Sequence, residues 1–215
     1  MTSKIIVFSG IDGSGKSTHA RILERRLKSN GMSVKYVYMR GLGRTFFSLP
    51  FLALCRLLKI TRVHKFKSGI RVSEYSFYTY KPFRLLWPLL QLVDSMIYTF
   101  LLIRLPQPFY DAIIFDRSPI DTLVDIIADT RSPIKVGILQ KLFLSLLPKN
   151  SIVIILDVKE EIALMRKKDI LSRFYLSIRR RVYSTLAEFY GWHVISTNKS
   201  LKDSTSLIES LVPQA

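Results

Sequence analysis

"VFSGIDGSGKSTHA", residues 7–20, sets an apolar pair before a turn punctuated by Gly10, Gly13 and Gly15 and closed by Lys16, Ser17 and Thr18. The spacing of Gly10, Gly15, Lys16 and Ser17 fits the phosphate-binding loop G-x-x-x-x-G-K-[ST], in which successive backbone N–H groups cradle phosphate oxygens. In such a loop a lysine, here Lys16, reaches the terminal phosphates as a mobile point charge, and the hydroxyl after it, here Ser17, binds Mg²⁺. The expected phosphate-binding set is Gly10, Asp12, Gly13, Ser14, Gly15, Lys16, Ser17 and Thr18. Context supports the match. Ile5 to Phe8 is a short apolar run that reads as a buried strand, and Ala20, Leu23 and Leu27 recur at helical spacing up to a stop at Gly31. An ordinary glycine-rich turn would explain the glycines but not the Lys-Ser pair that follows them.

The rest of the chain is read outward from this turn. Its 215 residues and 48% hydrophobic content suit one domain with a substantial core. The lone cysteine, Cys55, has no partner for an internal disulfide and lies among leucines as a buried filler. No charged and apolar leader precedes the first strand, so a reducing, cytoplasmic setting is the expectation. His19, His64 and His193 lack metal-ligand spacing, which argues against protein-ligated zinc.

Apolar strands are predicted at 4–9, 34–39, 112–116, 151–157 and 193–196, separated by stretches of helical periodicity. That alternation predicts an α/β fold with a parallel sheet, whose ligands bind outside the carboxyl ends of the strands. The informative residues are therefore those that end each strand: the glycine loop, Arg40, Asp116-Arg117-Ser118 and Asp157. An apolar strand ending in aspartate is how phosphate-loop enzymes set a carboxylate beside the metal. Asp116 is preferred for that role, because the adjoining Arg117 offers a rigid fork for phosphate oxygens. Asp157 is the rival, with a helix N-cap near Lys159 as its structural alternative.

The sequence resembles the thymidylate kinase family of nucleoside-monophosphate kinases. "IVFSGIDGSGKST" is similar to that family's opening, "IIFDRS" to its D-R-Y/H element, and "IILDVKEEIALMRK" to its strand leading into the lid. "RVYSTLAEFY" and "SLKDSTSLIESLV" resemble its ending, so the likeness spans about residues 1–40 and 111–212. It implies a P-loop NTPase three-layer sandwich over residues 1–215, with a five-stranded parallel sheet, an acceptor-side region at about 41–110 and a lid at about 160–181. It further implies ATP and Mg²⁺ as the phosphoryl-donor system, dTMP or a related nucleotide as acceptor, Asp12 near the acceptor sugar, and a homodimer.

Residues 41–110 depart from the family pattern. "MRGLGR" keeps Arg40 but loses the acid and proline of R-E-P-G. In "LLQLVDSMIY" Asp94 has a counterpart, but Ser95 stands where the family has an arginine that serves the acceptor. Ser118 replaces the aromatic residue after Asp116-Arg117 and resembles the D/E-R-S element of deoxynucleoside kinases. The acceptor class therefore stays open, with a deoxynucleoside or a lipid-linked acceptor as alternatives.

From Arg56 to Arg84 eight Lys/Arg face one acid, Glu74, for a net +7, interleaved with Phe66, Tyr75, Phe77, Tyr78, Tyr80 and Phe83. Such a stretch suits a cationic flap over the site, or contact with a nucleic acid or an anionic membrane surface. The total charge of +17 exceeds what a nucleotide requires and keeps a nucleic-acid-stimulated ATPase in view. Residues 85–105 approach spanning length, but Asp94 lies mid-segment and Pro88 predicts a helix that begins only there, so no transmembrane helix is expected. On that helix Gln91, Asp94, Ser95 and Tyr98 form one polar stripe, a candidate acceptor surface. Between Lys159 and Arg181 eight Lys/Arg against three acids give +5; Arg166 and Arg173 are the candidate lid arginines that neutralise a transferring phosphoryl group. A regulatory GTPase would need N-K-x-D, and Asn198-Lys199-Ser200-Leu201 lacks the aspartate.

Overall fold

The computed structural model describes residues 3–39, 46–65, 71–75, 80–130, 137–167, 170, 172–198 and 200–212. In chain order the first half comprises β1 (Lys4–Ser9), α1 (Lys16–Ser29), β2 (Val34–Tyr38), α2 (Ser48–Leu57), β3 (Thr61–Lys65), β4 (Arg71–Tyr75) and α3 (Lys81–Thr99). The second half comprises β5 (Ala112–Asp116), α4 (Pro119–Thr130), α5 (Ile138–Ser145), β6 (Ser151–Asp157), α6 (Glu160–Arg166), α7 (Arg173–Tyr190), β7 (His193–Ser196) and α8 (Leu201–Leu211).

The main sheet has five strands in the order β2-β5-β1-β6-β7. Every neighbouring pair in it is parallel. This is the expected α/β architecture, and all five predicted strands are present, with β2 ending at Tyr38. Side chains alternate across the sheet with period two. Ile5 and Val7 of β1 point into a core with Ile113, Phe115, Val153 and Ile155. Ile6 and Phe8 point to the other side, against Ala20, Leu23 and Leu27 of α1 and Ile114 and Ile154. Burial on both faces is why β1 reads as a continuous apolar run rather than an alternating one.

The basic aromatic stretch contains an antiparallel hairpin, β3 with β4, that pairs Thr61 with Tyr75 and Lys65 with Arg71. It was not among the predicted strands, although "TRVHK" and "RVSEY" both carry the β-branched and aromatic residues that favour strands. The remainder of that stretch, residues 66–70 and 76–79, lies outside the described residues.

α3 corrects one expectation, the place where it starts. It begins at Lys81, not near Pro88, with Pro82 in its first turn, where a missing N–H is harmless, and Pro88 in its interior. An interior proline costs about 3 kcal/mol. Burial of Trp87 and Leu92, each worth about 1.5–3 kcal/mol, offsets it here; both are core residues. The helical run continues through a π-turn at Phe100–Arg104. The resulting 29 residues, Lys81–Phe109, are long and apolar enough to cross a membrane by length and composition, with 44% of their most apolar stretch buried.

The polar stripe of α3 is real, but Gln91, Asp94 and Ser95 are buried. Asp94 accepts hydrogen bonds from the backbone N–H groups of Phe47 and Ser48 at 3.0 and 2.9 Å and from the Ser48 hydroxyl. Gln91 donates to the same hydroxyl. The first N–H groups of α2, which have no partner within their own helix, are thus satisfied by a carboxylate from the next helix. Asp94→Ala is expected to lower unfolding free energy by about 2 kcal/mol, and Asp94→Asn by less, measured by urea unfolding. Unchanged stability in Asp94→Ala would return this side chain to the acceptor role.

Candidate functional site

The loop between β1 and α1 lies against β6 and α6 more closely than any side chain would allow. A Cβ on Gly10, where φ is +143°, would sit 2.5 Å from the Leu156 carbonyl oxygen. On Gly13, where φ is +83°, it would sit 2.7 Å from the Ala163 oxygen and 2.9 Å from its Cα. The backbone turns there because it has to and can approach because nothing projects. Gly15 then caps α1, and Ser17 and Thr18 stand exposed on its first turn.

Lys16 is folded back into its own loop, with Nζ donating to the carbonyls of Gly10 and Ile11 at 2.7 and 2.8 Å. Burial, reinforced by the neighbouring Arg117, lowers its pKa from 10.5 to about 8. Asp12 pairs with Arg117 and, at 3.4 Å, with Lys167. Burial opposes the Asp12 carboxylate, but Arg117, Lys16 and Lys167 outweigh it and hold its pKa well below the usual carboxylate range. Arg117 follows β5 with φ +74°, a left-handed backbone that side-chain-bearing residues adopt only at a cost, and its N–H is tied to Phe8 O at 3.0 Å. That turn swings the guanidinium toward the loop.

The two rival strand ends now differ. Asp116 is fully buried; Tyr36 donates to its Oδ2 at 2.7 Å and its Oδ1 has no hydrogen-bond partner among the described residues. Asp157 is gripped by both arms of Arg180, at 2.6 and 2.9 Å. It is not a helix cap either, because the Lys159 N–H at the start of α6 is taken by Asn198 Oδ1 at 2.8 Å. Among the described residues no cluster of three or more His, Cys, Asp or Glu can hold a metal ion. A Mg²⁺ ion that keeps its waters needs only one or two protein ligands. The exposed Ser17 hydroxyl fits that demand; the Oδ1 of Asp116 has no partner among the described residues, but Asp116 is buried and lines neither cavity over the loop.

A cavity of about 420 Å³ opens over the loop, lined by Asp12, Lys16, Ser17, Arg117, Arg166 and Lys167, with Tyr38 at its edge. A second cavity of about 260 Å³ adjoins it, lined by Ser14, His19, Arg166, Thr197, Leu201 and Ser204. The two share Gly15, Thr18 and Arg166. Arg166 donates to the Thr197 carbonyl at 2.8 Å and, at 3.4 Å, to the Gly13 carbonyl. Arg173 is exposed, pairs with Glu161 and lines neither cavity. Neither cavity is lined by Gln91, Asp94, Ser95 or Tyr98. Arg40 lies outside the described residues.

Sequence reasoning missed Lys167, Thr197 and, behind the loop, Asp121. Asp121 is buried and accepts from Ser9 Oγ at 2.7 Å, Ser118 N at 2.8 Å and Tyr183 OH at 2.8 Å. Burial pushes its pKa up while Arg117 and Lys16 pull it down. The signal was present in "SPID". Ser118 three residues before an acid, with Pro119 between, is a capping box, and the Ser118 hydroxyl accepts from Ile120 N at 3.1 Å.

No protein-family model and no curated protein sequence matches the chain. Among solved structures it is similar to a thymidylate kinase from Ehrlichia chaffeensis, with TM-score 0.60 and 18% identity over 98% of each chain. At that identity the likeness is one of fold.

The lowered pKa of Lys16 has opposite consequences for folding and for binding. Between pH 8 and 10.5 the unfolded chain still holds the proton that the folded one has lost, so this group's contribution to stability rises with pH. The charge offered to a phosphate falls over the same window. ATP affinity, measured by calorimetry at several pH values, is expected to weaken as pH rises above about 8, approaching about tenfold per unit. A flat profile from neutral pH upward would remove Lys16 from the phosphate site.

Proposed function

We propose that the protein is an ATP- and Mg²⁺-dependent kinase that transfers the γ-phosphoryl group to a nucleoside monophosphate, dTMP or a related nucleotide. The observation that carries this is the set of Lys16, Arg117, Arg166 and Lys167 lining one cavity over the loop, with a second cavity that shares Gly15, Thr18 and Arg166 with it. A nucleotide's phosphates suit the larger, cationic chamber and its base and sugar the smaller one, which has Leu201 and His19 in its wall. The fold shared with a thymidylate kinase supports a nucleotide kinase in general terms.

Catalysis in this reading is positioning and charge neutralisation, with no covalent intermediate on the protein. Lys16 exchanges the carbonyls of Gly10 and Ile11 for phosphate oxygens, and the amides of Gly13 to Thr18 hold the rest of the chain of phosphates. Arg166 and Lys167 come from the end of α6 and meet the charge that develops on the transferring group. Arg117, paired with the same Asp12 carboxylate as Lys167, lines the same chamber and is the fork offered to an acceptor phosphate. Ser17 and Asp116 would hold Mg²⁺, whose charge would neutralise phosphate oxygens. Asp12, kept ionised by its cationic neighbours, is available to a sugar hydroxyl of the acceptor.

The test is ADP formation from ATP and Mg²⁺ with a panel of nucleoside monophosphates, nucleosides, polyprenols and nucleic acid. Turnover should require a nucleoside monophosphate, with dTMP among the best acceptors. Lys16→Ala should lower kcat/KM by at least about 100-fold with unfolding unchanged. Hydrolysis that needs no acceptor and rises with DNA or RNA would overturn the kinase reading. In the same assay Asp116→Asn should impair Mg²⁺-dependent turnover by at least about tenfold more than Asp157→Asn, whose main effect should be on stability through Arg180. The reverse order would assign the metal carboxylate to β6.

A further inference from the structure

Asp121, in the first turn of α4, is 1% exposed and forms no ion pair among the described residues. Its Oδ2 accepts from the Ser9 hydroxyl at 2.7 Å and the Ser118 N–H at 2.8 Å, and its Oδ1 from the Tyr183 hydroxyl at 2.8 Å. All three donors are neutral, so no contact offsets the burial of a charge in the way an ion pair would. A capping box asks only for an acceptor, which the oxygen of an amide would also supply. The charge has a different correspondent: the field that reaches it comes from Arg117 and Lys16.

The three donors belong to elements that meet beside Arg117. Ser9 ends β1 just before the phosphate loop, Ser118 opens the turn into α4, and Tyr183 lies on α7. The Arg117 N–H is held by Phe8 O at 3.0 Å, and the next N–H, that of Ser118, by Asp121. Both peptide groups that flank Arg117 are therefore fixed. A side-chain-bearing residue at φ +74° needs this, because such a backbone persists only where its surroundings over-determine it. Asp125 and Asp129 follow Asp121 at intervals of four along α4, and each accepts from Arg179 at 2.6 Å. Arg179 precedes Tyr183 by one turn of α7, so one row of acids on α4 holds the two helices in register. α7 is the helix that follows α6, whose end supplies Arg166 and Lys167. The row thus links the turn of Arg117 to the part of the chain that carries the other cations of the chamber.

We infer that Asp121, acting through the Ser118 N–H and braced by Tyr183, is the positioning residue that aims Arg117 at a phosphate monoester in the chamber. The inference rests on the kinase reading only in taking that monoester to be the acceptor. Calorimetry gives the affinity for dTMP, and separately for ATP, of the full chain, of Asp121→Asn, Tyr183→Phe and Arg117→Ala, and of each of the first two combined with Arg117→Ala. Asp121→Asn removes a negative charge from the field of Arg117 and Lys16, so by charge alone it would tighten phosphate binding; lost aim weakens it. Asp121→Asn should weaken dTMP binding about tenfold and Tyr183→Phe about threefold, with ATP binding not weakened. In the Arg117→Ala background neither should change dTMP affinity by more than about twofold, because nothing is left to aim. Tyr183→Phe keeps its ring in the core and tests the same link should Asp121→Asn fail to fold. Tighter dTMP binding by Asp121→Asn would overturn the role in favour of charge alone, and an equal loss with and without Arg117 would overturn it in favour of general loosening. The cycle reads binding, so this coupling in a chain that transfers no phosphoryl group would uphold Asp121 and refute the kinase reading. Absence of dTMP binding by the unaltered chain would overturn both.

Discussion

Two missing Cβ atoms decide how the site is assembled. At Gly10 and Gly13 the loop backbone touches the end of β6 and the middle of α6 at distances that no other residue permits. The contact at Ala163 brings the end of α6, and with it Arg166 and Lys167, over the phosphate loop. A side chain at Gly13 would separate the loop from α6 and open the cationic chamber, and one at Gly10 would force the loop off the end of β6. Steric permission at two backbone positions thus precedes the electrostatics.

Those electrostatics are tightly packed. Lys16, Arg117, Arg166 and Lys167 surround one cavity, and their mutual repulsion is relieved by carboxylates at set depths. Asp12 sits among them at the surface of the loop, and Asp121 sits behind, buried between Ser9, Ser118 and Tyr183. Tyr183 belongs to α7, so the same carboxylate ties the lid-side helix to the turn that carries the left-handed Arg117. Arg180, one turn earlier on α7, occupies Asp157 and leaves Asp116 as the strand-end carboxylate with an unused oxygen.

Away from the chamber, α3 spends its polarity on the interior. Asp94 lends its charge to the start of α2 instead of to a ligand, and Gln91 completes the network through Ser48. The price is an outward face of leucines, a methionine and a phenylalanine. Polar stripe and apolar stripe are two consequences of one helix rotation, and Tyr38, Arg117 and Lys167, not this stripe, line the cavity over the loop.

The order of the fold was legible in the chain because it rests on local signals. Apolar runs bounded by turns marked the five parallel strands, and the Gly-Lys-Ser spacing marked the loop, since backbone cradles are written in consecutive residues. Three things were settled only in three dimensions. Which strand-end aspartate keeps a vacant oxygen depended on Arg180, 23 residues further along the chain from Asp157. Whether Pro88 starts α3 or lies within it depended on the core burial of Trp87 and Leu92, which offsets a local backbone penalty. Which way the Gln91, Asp94 and Ser95 stripe faces depended on the unsatisfied N–H groups of α2, because periodicity fixes the residues that share a face while only packing fixes what that face meets.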